Sequence, residues 1–204
     1  MKSFKHWYFQ EVEETFGIVK VDELEPLSKW MEVDVEDIAP AKKDAIEKLR
    51  TNLLKYVNYW NEAEVGYYFL SPFLMLVDVQ KEEYRGFWER SLSVSKGGEV
   101  ASGIIDFMIA RGKQLPKSPY FFINEFKPET GTSNDPIGQL LMGMLAAQQQ
   151  NEQENYPELT VYGAYTIGRN WYFVVLAGNQ YAVSDAFTAT QADIYAIFKM
   201  LEKV

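Results

Sequence analysis

The chain has 204 residues, 47% hydrophobic and 15% aromatic, which is ample material for a packed core and too much for a disordered protein. It has no cysteine, which excludes disulfides, thiolate nucleophiles and zinc–thiolate sites, and its single histidine, His6, argues against a histidine-based triad. The net charge of −9 argues against a broad nucleic-acid-binding face, because affinity for phosphate rests on Lys and Arg; it leaves room for a narrow basic patch or a metal bridging carboxylates to phosphate.

The first residues, M-K-S-F-K-H-W-Y-F-Q-E-V-E-E, lack the apolar core and small-residue cleavage site of a signal peptide. Residues 1–40 read as a helical, partly irregular preamble. Phe4, Trp7, Tyr8 and Val12 have roughly helical spacing, Leu24, Leu27 and Trp30 repeat it, and Pro40 closes the stretch. Its expected task is to cover one flank of the core, with His6 in packing or on the surface.

An amphipathic helix follows, with Ile46, Leu49, Leu53, Val57 and Trp60 at steps of three and four. The same steps lead on to Glu64 and Tyr67, which puts a carboxylate in an apolar lane and leaves Glu62 off it, in solvent. A second reading stands beside this one. Asn61 with Glu64 fits a capping box, which starts a new helix at 62 and makes Glu64 structural. Pro72 is expected to end or kink the helix. The most apolar run, 69–77, contains Pro72 and is too short to span a bilayer.

Residues 84–96 suit a first strand and K-G-G-E at 96–99 a turn. The second strand is expected over 100–110, with Ile104, Asp106 and Met108 on one face and Ile105, Phe107 and Ile109 on the other. An aspartate inside such a strand needs a reason, the plainest being a hydrogen bond to a neighbouring backbone. After a polar loop at 111–117, the run S-P-Y-F-F-I-N-E-F-K-P-E makes the third strand. Alternation projects Glu125 and Lys127 from one face at its end, where two charges are costly unless they pair or hold something.

A Gly/Ser/Thr/Asn loop at 130–134 leads to Asp135-Pro136, a carboxylate N-cap followed by proline at the first helical position. The helix is expected over 136–150, with Ile137, Leu140, Leu141 and Met144 on its apolar side. Gly143 and Ala146 narrow the face that carries Gln139, so the helix can lie close to a sheet. Residues 159–168 and 171–177 read as a hairpin turning at Arg169-Asn170, and 180–183 as a short strand. Thr190 with Asp193 resembles a capping box, and Ile194, Ile197, Phe198 and Leu201 give a closing amphipathic helix.

Glu64, Asp106, Glu125, Lys127 and Gln139 thus fall in order on a helix, two adjacent strands and a following helix. Two or three carboxylates converging at strand ends make a hard oxygen site suited to Mg2+ or Mn2+, and a neighbouring lysine can orient or deprotonate a water. On I-I-D at 104–106, N-E-F-K at 124–127 and the helix–strand–strand–strand–helix–strand order, residues 41–183 resemble the PD-(D/E)xK nuclease superfamily. The stretches P-Y-F-F-I-N-E-F-K, D-P-I-G-Q-L-L and Y-G-A-Y-T-I-G-R-N-W also look like an uncharacterised group of small bacterial proteins within it.

The resemblance implies an α/β, restriction-endonuclease-like core with a mixed central sheet flanked by helices; the N-terminal helical extension at 1–40 and the C-terminal helix at 184–204 lie outside it, and with no repeat, low-complexity tract or linker the whole chain reads as one domain. The resemblance also implies Asp106 and Glu125 as metal ligands, Lys127 as the catalytic lysine, Glu64 as an accessory acid of the metal site and Gln139 as the polar residue of the helix after the third strand. Ile105 stands where the superfamily often has proline.

Three functions are weighed: a Mg2+-dependent phosphodiesterase cleaving DNA, a non-catalytic member of the fold acting as a binding or assembly module, and a hydrolase of another phosphate ester. The only modest basic clusters, 42–50 and 111–117, read as solvated faces. Trp7, Tyr8, Trp30, Tyr67 and Tyr68 read as core packing in preference to a partner surface. A cytoplasmic protein is expected, with no membrane partner. A homodimer is compatible with the sequence, and so is a partner protein that delivers the nucleic acid.

Overall fold

The computed structural model describes residues 2–80, 83–130 and 135–204. The chain is an α/β protein with a mixed central sheet flanked by helices. The preamble holds β1 (Lys2–Ser3), a 3-10 helix at Phe4–His6, α1 (Phe9–Phe16), β2 (Val19–Lys20) and α2 (Glu25–Met31). Next come α3 (Pro40–Tyr56), α4 (Glu62–Val65), a π-helical turn at Gly66–Leu70 and α5 (Ser71–Val77). The central hairpin is β3 (Tyr84–Lys96) and β4 (Glu99–Arg111), followed by β5 (Lys117–Lys127) and α6 (Pro136–Gln153). The chain closes with β6 (Val161–Ile167), β7 (Asn170–Ala177), β8 (Gln180–Val183), β9 (Phe187–Thr188) and α7 (Asp193–Glu202). Of the loop expected at 130–134, all but Thr130 lies outside the described residues.

Among the described residues the sheet runs β1-β4-β5-β6-β7-β8-β2, with β3 on β4 and β9 on β7. β4 is antiparallel to β5, β5 parallel to β6, and β6 antiparallel to β7. β5 is therefore an inner strand covered on both faces, which is why its sequence is a nearly unbroken apolar run. One face carries α2, α3, α5 and α7, whose Trp30, Leu53, Phe73 and Phe198 pack against Phe122 and Phe173 of the sheet. The other face carries α6 and α1, with Leu140, Leu141, Met144 and Val12 against Ile105 and Ile123. No helix of the described residues is long and apolar enough to cross a membrane.

The preamble does more than cover a flank. β1 adds in parallel to β4 and β2 in parallel to β8, so the first forty residues supply strands on both sides of the sheet. Pro40 begins α3 in place of ending a segment, because proline's fixed φ suits the first helical turn. The helix expected to run from 46 through 67 stops at Tyr56, and a new one starts at Glu62. Pro72 does not end it: the helical path runs from Glu62 to Val77, and the π turn just before Pro72 opens the hydrogen-bond ladder where proline has no N–H to donate. The capping box expected of Thr190 and Asp193 does not form; Asp193 instead accepts the Thr188 N–H at 2.9 Å.

α6 is set against both the sheet and the preamble. Asp135 caps it, accepting from the Ile137 and Gly138 N–H groups at 3.1 and 3.2 Å, and its second oxygen accepts the Phe9 N–H at 2.8 Å. A Cβ on Gly143 would lie 2.7 Å from Ile105 Cδ1, so the helix lies as close to the sheet as its small residues suggest. A Cβ on Gly138 would meet backbone, 2.3 Å from the Trp7 carbonyl oxygen and 2.9 Å from the Phe9 nitrogen. Gly→Ala in a helix ordinarily stabilises by about 1 kcal/mol. Here overpacking against backbone costs about 1–3 kcal/mol, so Gly138→Ala is expected to lower the thermal midpoint by several degrees. A raised midpoint would mean that the preamble does not clasp α6.

Candidate active site

β5 ends at Glu125-Phe126-Lys127, where the β4–β5 ladder also ends; its last register pair is Phe107 with Asn124. The Asp106 carboxylate takes over from there, its Oδ2 accepting the Phe126 N–H at 2.9 Å. The backbone hydrogen bond expected for Asp106 is thus present, and it fixes the carboxylate against the end of β5.

Glu125 is fully buried. Its Oε2 accepts from Gln139 Nε2 at 2.7 Å, so the first turn of α6 reaches the strand end. No donor among the described residues reaches Glu125 Oε1, which is itself buried, nor does one reach Gln139 Oε1. Burial pushes the Glu125 carboxyl well above the ordinary carboxylate range, the neighbouring Asp106 adds to this, and the Lys127 charge opposes it. Asp106 is raised by the same burial, with Lys127 the main opposing influence. Burial and the adjacent Asp106 charge together favour the protonated form of Glu125.

Lys127 Nζ lies 4.0 Å from Asp106 Oδ2 and 3.6 Å from Glu62 Oε1, its side chain only 9% exposed. Glu62, expected in solvent, is therefore the acid that α4 brings to the lysine. Glu64 is a correction. Its Oε2 accepts the Asn61 N–H at 2.8 Å and its own N–H donates to Asn61 Oδ1 at 3.0 Å, the reciprocal capping box. The capping reading prevails over the lane reading because the chain breaks after α3, which resets the helical phase. The signal that could have found Glu62 was the box itself, which makes residue 62 the first of the new helix. Glu64→Ala is expected to cost about 1 kcal/mol of stability, seen as a lower thermal midpoint, with metal affinity unchanged. Weakened metal binding in this variant would return Glu64 to the site.

The hairpin contributes a second irregularity. Ala101 and Ile105 face the core under α6, as do Met108 and Ala110, while Phe107 and Ile109 face the opposite core. The alternation expected across 104–109 therefore slips by one at Asp106. On β3, Phe87 and Leu92 share the α6 side across the same level. The residue facing Asp106, between the pairs Trp88 with Phe107 and Arg90 with Ile105, is Glu89, at φ 50°. A side chain in left-handed backbone costs about 1–3 kcal/mol. The slip turns Asp106 out of both cores, and the Glu89 charge adds to the upward push on its carboxyl. Beyond the strand end, Glu129 accepts from the backbone N–H and Nε of Arg169, each at 3.0 Å, and Arg169 reaches Asn58 Oδ1 at 2.7 Å. This ties the β6–β7 turn to the linker before α4.

Among the described residues no three or more His, Asp or Glu side chains converge in a metal-binding arrangement. A Mg2+ site commonly uses one or two carboxylates and completes its shell with waters and phosphate oxygens. Asp106 and Glu125, with one buried oxygen lacking a donor, fit that donor set. A polar cavity of about 780 Å3, lined by Ser95, Lys117, Gln149 and Glu154 among others, lies at the start of β5, away from the carboxyls at its end. No protein-family model matches the chain, and no curated protein does.

Both basic clusters hold surface ion pairs. Lys42 meets Glu202 at 2.8 Å, Arg50 pairs with Glu47, and Arg111 meets Glu83 at 2.8 Å. Trp7 and Trp30 are core residues as expected, but Tyr8, Tyr67 and Tyr68 are exposed.

Proposed function

We propose that the chain is a Mg2+- or Mn2+-dependent phosphodiesterase with a restriction-endonuclease-like core, acting on nucleic acid, DNA foremost. The observation that supports it best is the meeting of Asp106, Glu125 and Lys127 at one strand end, with a buried Glu125 oxygen that accepts from no N–H or O–H donor of the described residues. Asp106 and Glu125 would hold the divalent ion. The chemistry it would supply is positive charge against the negative charge that builds on phosphorus.

The residues do the rest. Gln139 fixes the Glu125 carboxylate by holding Oε2, leaving Oε1 for the ligand. A proton held on the Glu125 carboxyl leaves as the ligand enters. Lys127, held between Asp106 and Glu62, orients the attacking water and offsets the negative charge that builds on phosphorus. Burial of this strand end keeps bulk water from screening these charges.

The test is a cleavage screen over single- and double-stranded DNA and RNA with Mg2+ or Mn2+, using the wild type, Asp106→Asn and Lys127→Ala. Cleavage is expected only in the wild type and only with the metal. Equal cleavage by all three would sink the proposal. No cleavage together with no Mn2+ binding in calorimetry would leave the non-catalytic module, and the search would move to protein partners.

A further inference from the structure

Six aromatic residues crowd the stretch from the last turn of α3 to the π turn: Tyr56, Tyr59, Trp60, Tyr67, Tyr68 and the buried Phe69. Aromatic side chains in a globular protein ordinarily go to its core. Here Tyr59 is 81% exposed and Tyr67 76%, with Tyr56 and Tyr68 about half exposed. Three of the rings form a row. Tyr56 and Trp60 stack at 5.9 Å between centroids, and Trp60 and Tyr68 follow at 5.6 Å. Trp60 is anchored against the core from below, so the row is held in place. The π turn, a rare backbone form, sets Tyr67 and Tyr68 at its centre.

This row borders the candidate active site. Between Trp60 and Tyr67 the same segment carries Glu62, 3.6 Å from Lys127 Nζ, and Gly66, where a Cβ would lie 3.4 Å from the Phe126 ring. Charge then decides what such a surface can hold. With a net charge of −9 and three of the five basic residues of α3, Lys42, Lys43 and Arg50, already paired, phosphate attraction is weak. Stacking of a base on an aromatic ring needs no net positive charge, tolerates any sequence and strengthens binding by about tenfold per base. A duplex cannot use such rings, because its base faces are covered by one another.

We propose that the exposed rings of residues 56–68 are a subsite for unpaired nucleobases, which makes single-stranded nucleic acid the substrate class. The inference rests on the phosphodiesterase reading for the fate of the phosphates, and on the rings alone for binding. A protein partner is the competing occupant, since Leu54 and Met75 nearby are also exposed. The rings outnumber these aliphatic side chains and lie on the segment whose Glu62 reaches Lys127.

The experiment is fluorescence anisotropy of an end-labelled oligothymidylate of about twelve nucleotides, in chelator so that binding is read without cleavage, with a duplex of the same length alongside. Wild type is compared with the Tyr59→Ala/Tyr67→Ala pair and with the Tyr59→Phe/Tyr67→Phe pair. The single strand is expected to bind at least tenfold more tightly than the duplex, with a shallow salt dependence. The alanine pair loses tenfold or more, and the phenylalanine pair keeps the affinity.

Equal affinity for duplex and single strand, or an alanine pair that binds like the wild type, overturns the subsite. So does a wild-type dimer that falls to monomers in the alanine pair without binding the oligonucleotide, which would make the rings a self-association face. The two readings fail separately. Ring-dependent binding without cleavage under any metal would sink the phosphodiesterase and leave the subsite. Metal-dependent cleavage untouched by the alanine pair would do the reverse.

Discussion

Lys127→Ala is expected to lower metal-dependent cleavage by at least about 100-fold, the low end of what a positioned charge-stabilising donor contributes. The lysine is nearly buried and stands between Asp106 at 4.0 Å and Glu62 at 3.6 Å. Its removal does not leave a stranded charge, because the buried carboxyls respond by holding their proton more tightly; the Lys127 charge is what now opposes that in both. The fold is therefore expected to survive, with an unchanged far-ultraviolet circular dichroism spectrum and a thermal midpoint within a few degrees of the wild type. Metal binding should remain but move to higher pH, since the ion must compete with a more firmly held proton. Full activity in this variant would remove Lys127 from the chemistry and the phosphodiesterase proposal with it.

Glu125→Gln is expected to stabilise the metal-free protein at neutral pH by about 1 kcal/mol or more, read as a rise of about 2–4 °C in the thermal midpoint. An amide keeps an oxygen for Gln139 Nε2 and brings an N–H toward Asp106, and it cannot ionise. The sign follows from linkage. The folded Glu125 carboxyl titrates above its ordinary value of 4.5. Between that value and the raised one, the folded protein holds a proton that the unfolded chain has released, so the stability of the wild type falls as pH rises through the window. The contribution is fully present below 4.5 and is lost by the time pH passes the raised value. Carboxylates lowered by basic partners, Glu47 beside Arg50 among them, oppose this only as pH falls through their own low values.

The gain in Glu125→Gln should therefore be small near pH 5 and grow toward pH 8. A divalent ion should stabilise the wild type, by about 2.7 kcal/mol at a hundredfold excess over its dissociation constant, and leave the variant unmoved. A pH-independent difference between the two proteins would mean that Glu125 is not the group whose proton is at stake.

Much of this was legible in the sequence. β3 at Tyr84–Lys96 is copied in the unbroken run of strand formers before K-G-G-E, and the start of α6 in Asp135-Pro136. Gln139 reached Glu125 because Gly143 let α6 lie on the sheet, as the spacing of small residues said. β1, β2 and β9 were not legible. Two-residue strands are too short to show alternation, and they form only because a sheet edge is there to accept them. Glu64 stayed open between a helical lane and a capping box because the apolar spacing hides the break at residues 57–61. The exposed tyrosines 67 and 68 were read as core because composition cannot say which way a ring points.

By itself the sequence determined which chemistry is open to this protein. With no cysteine and one histidine, hard oxygen donors and a lysine are what remain, and local pattern puts Asp106, Glu125 and Lys127 on neighbouring strands. The tertiary structure decided which acid joins the lysine and how the carboxyls behave. Glu62 arrives by the packing of α4 against the end of β5, Asp106 is turned out of both cores by a slip shared with Glu89 on the facing strand, and the Glu125 carboxyl is raised because elements distant in sequence close over it. Burial and cross-strand geometry depend on what packs where, and residue spacing along a single chain does not carry that information.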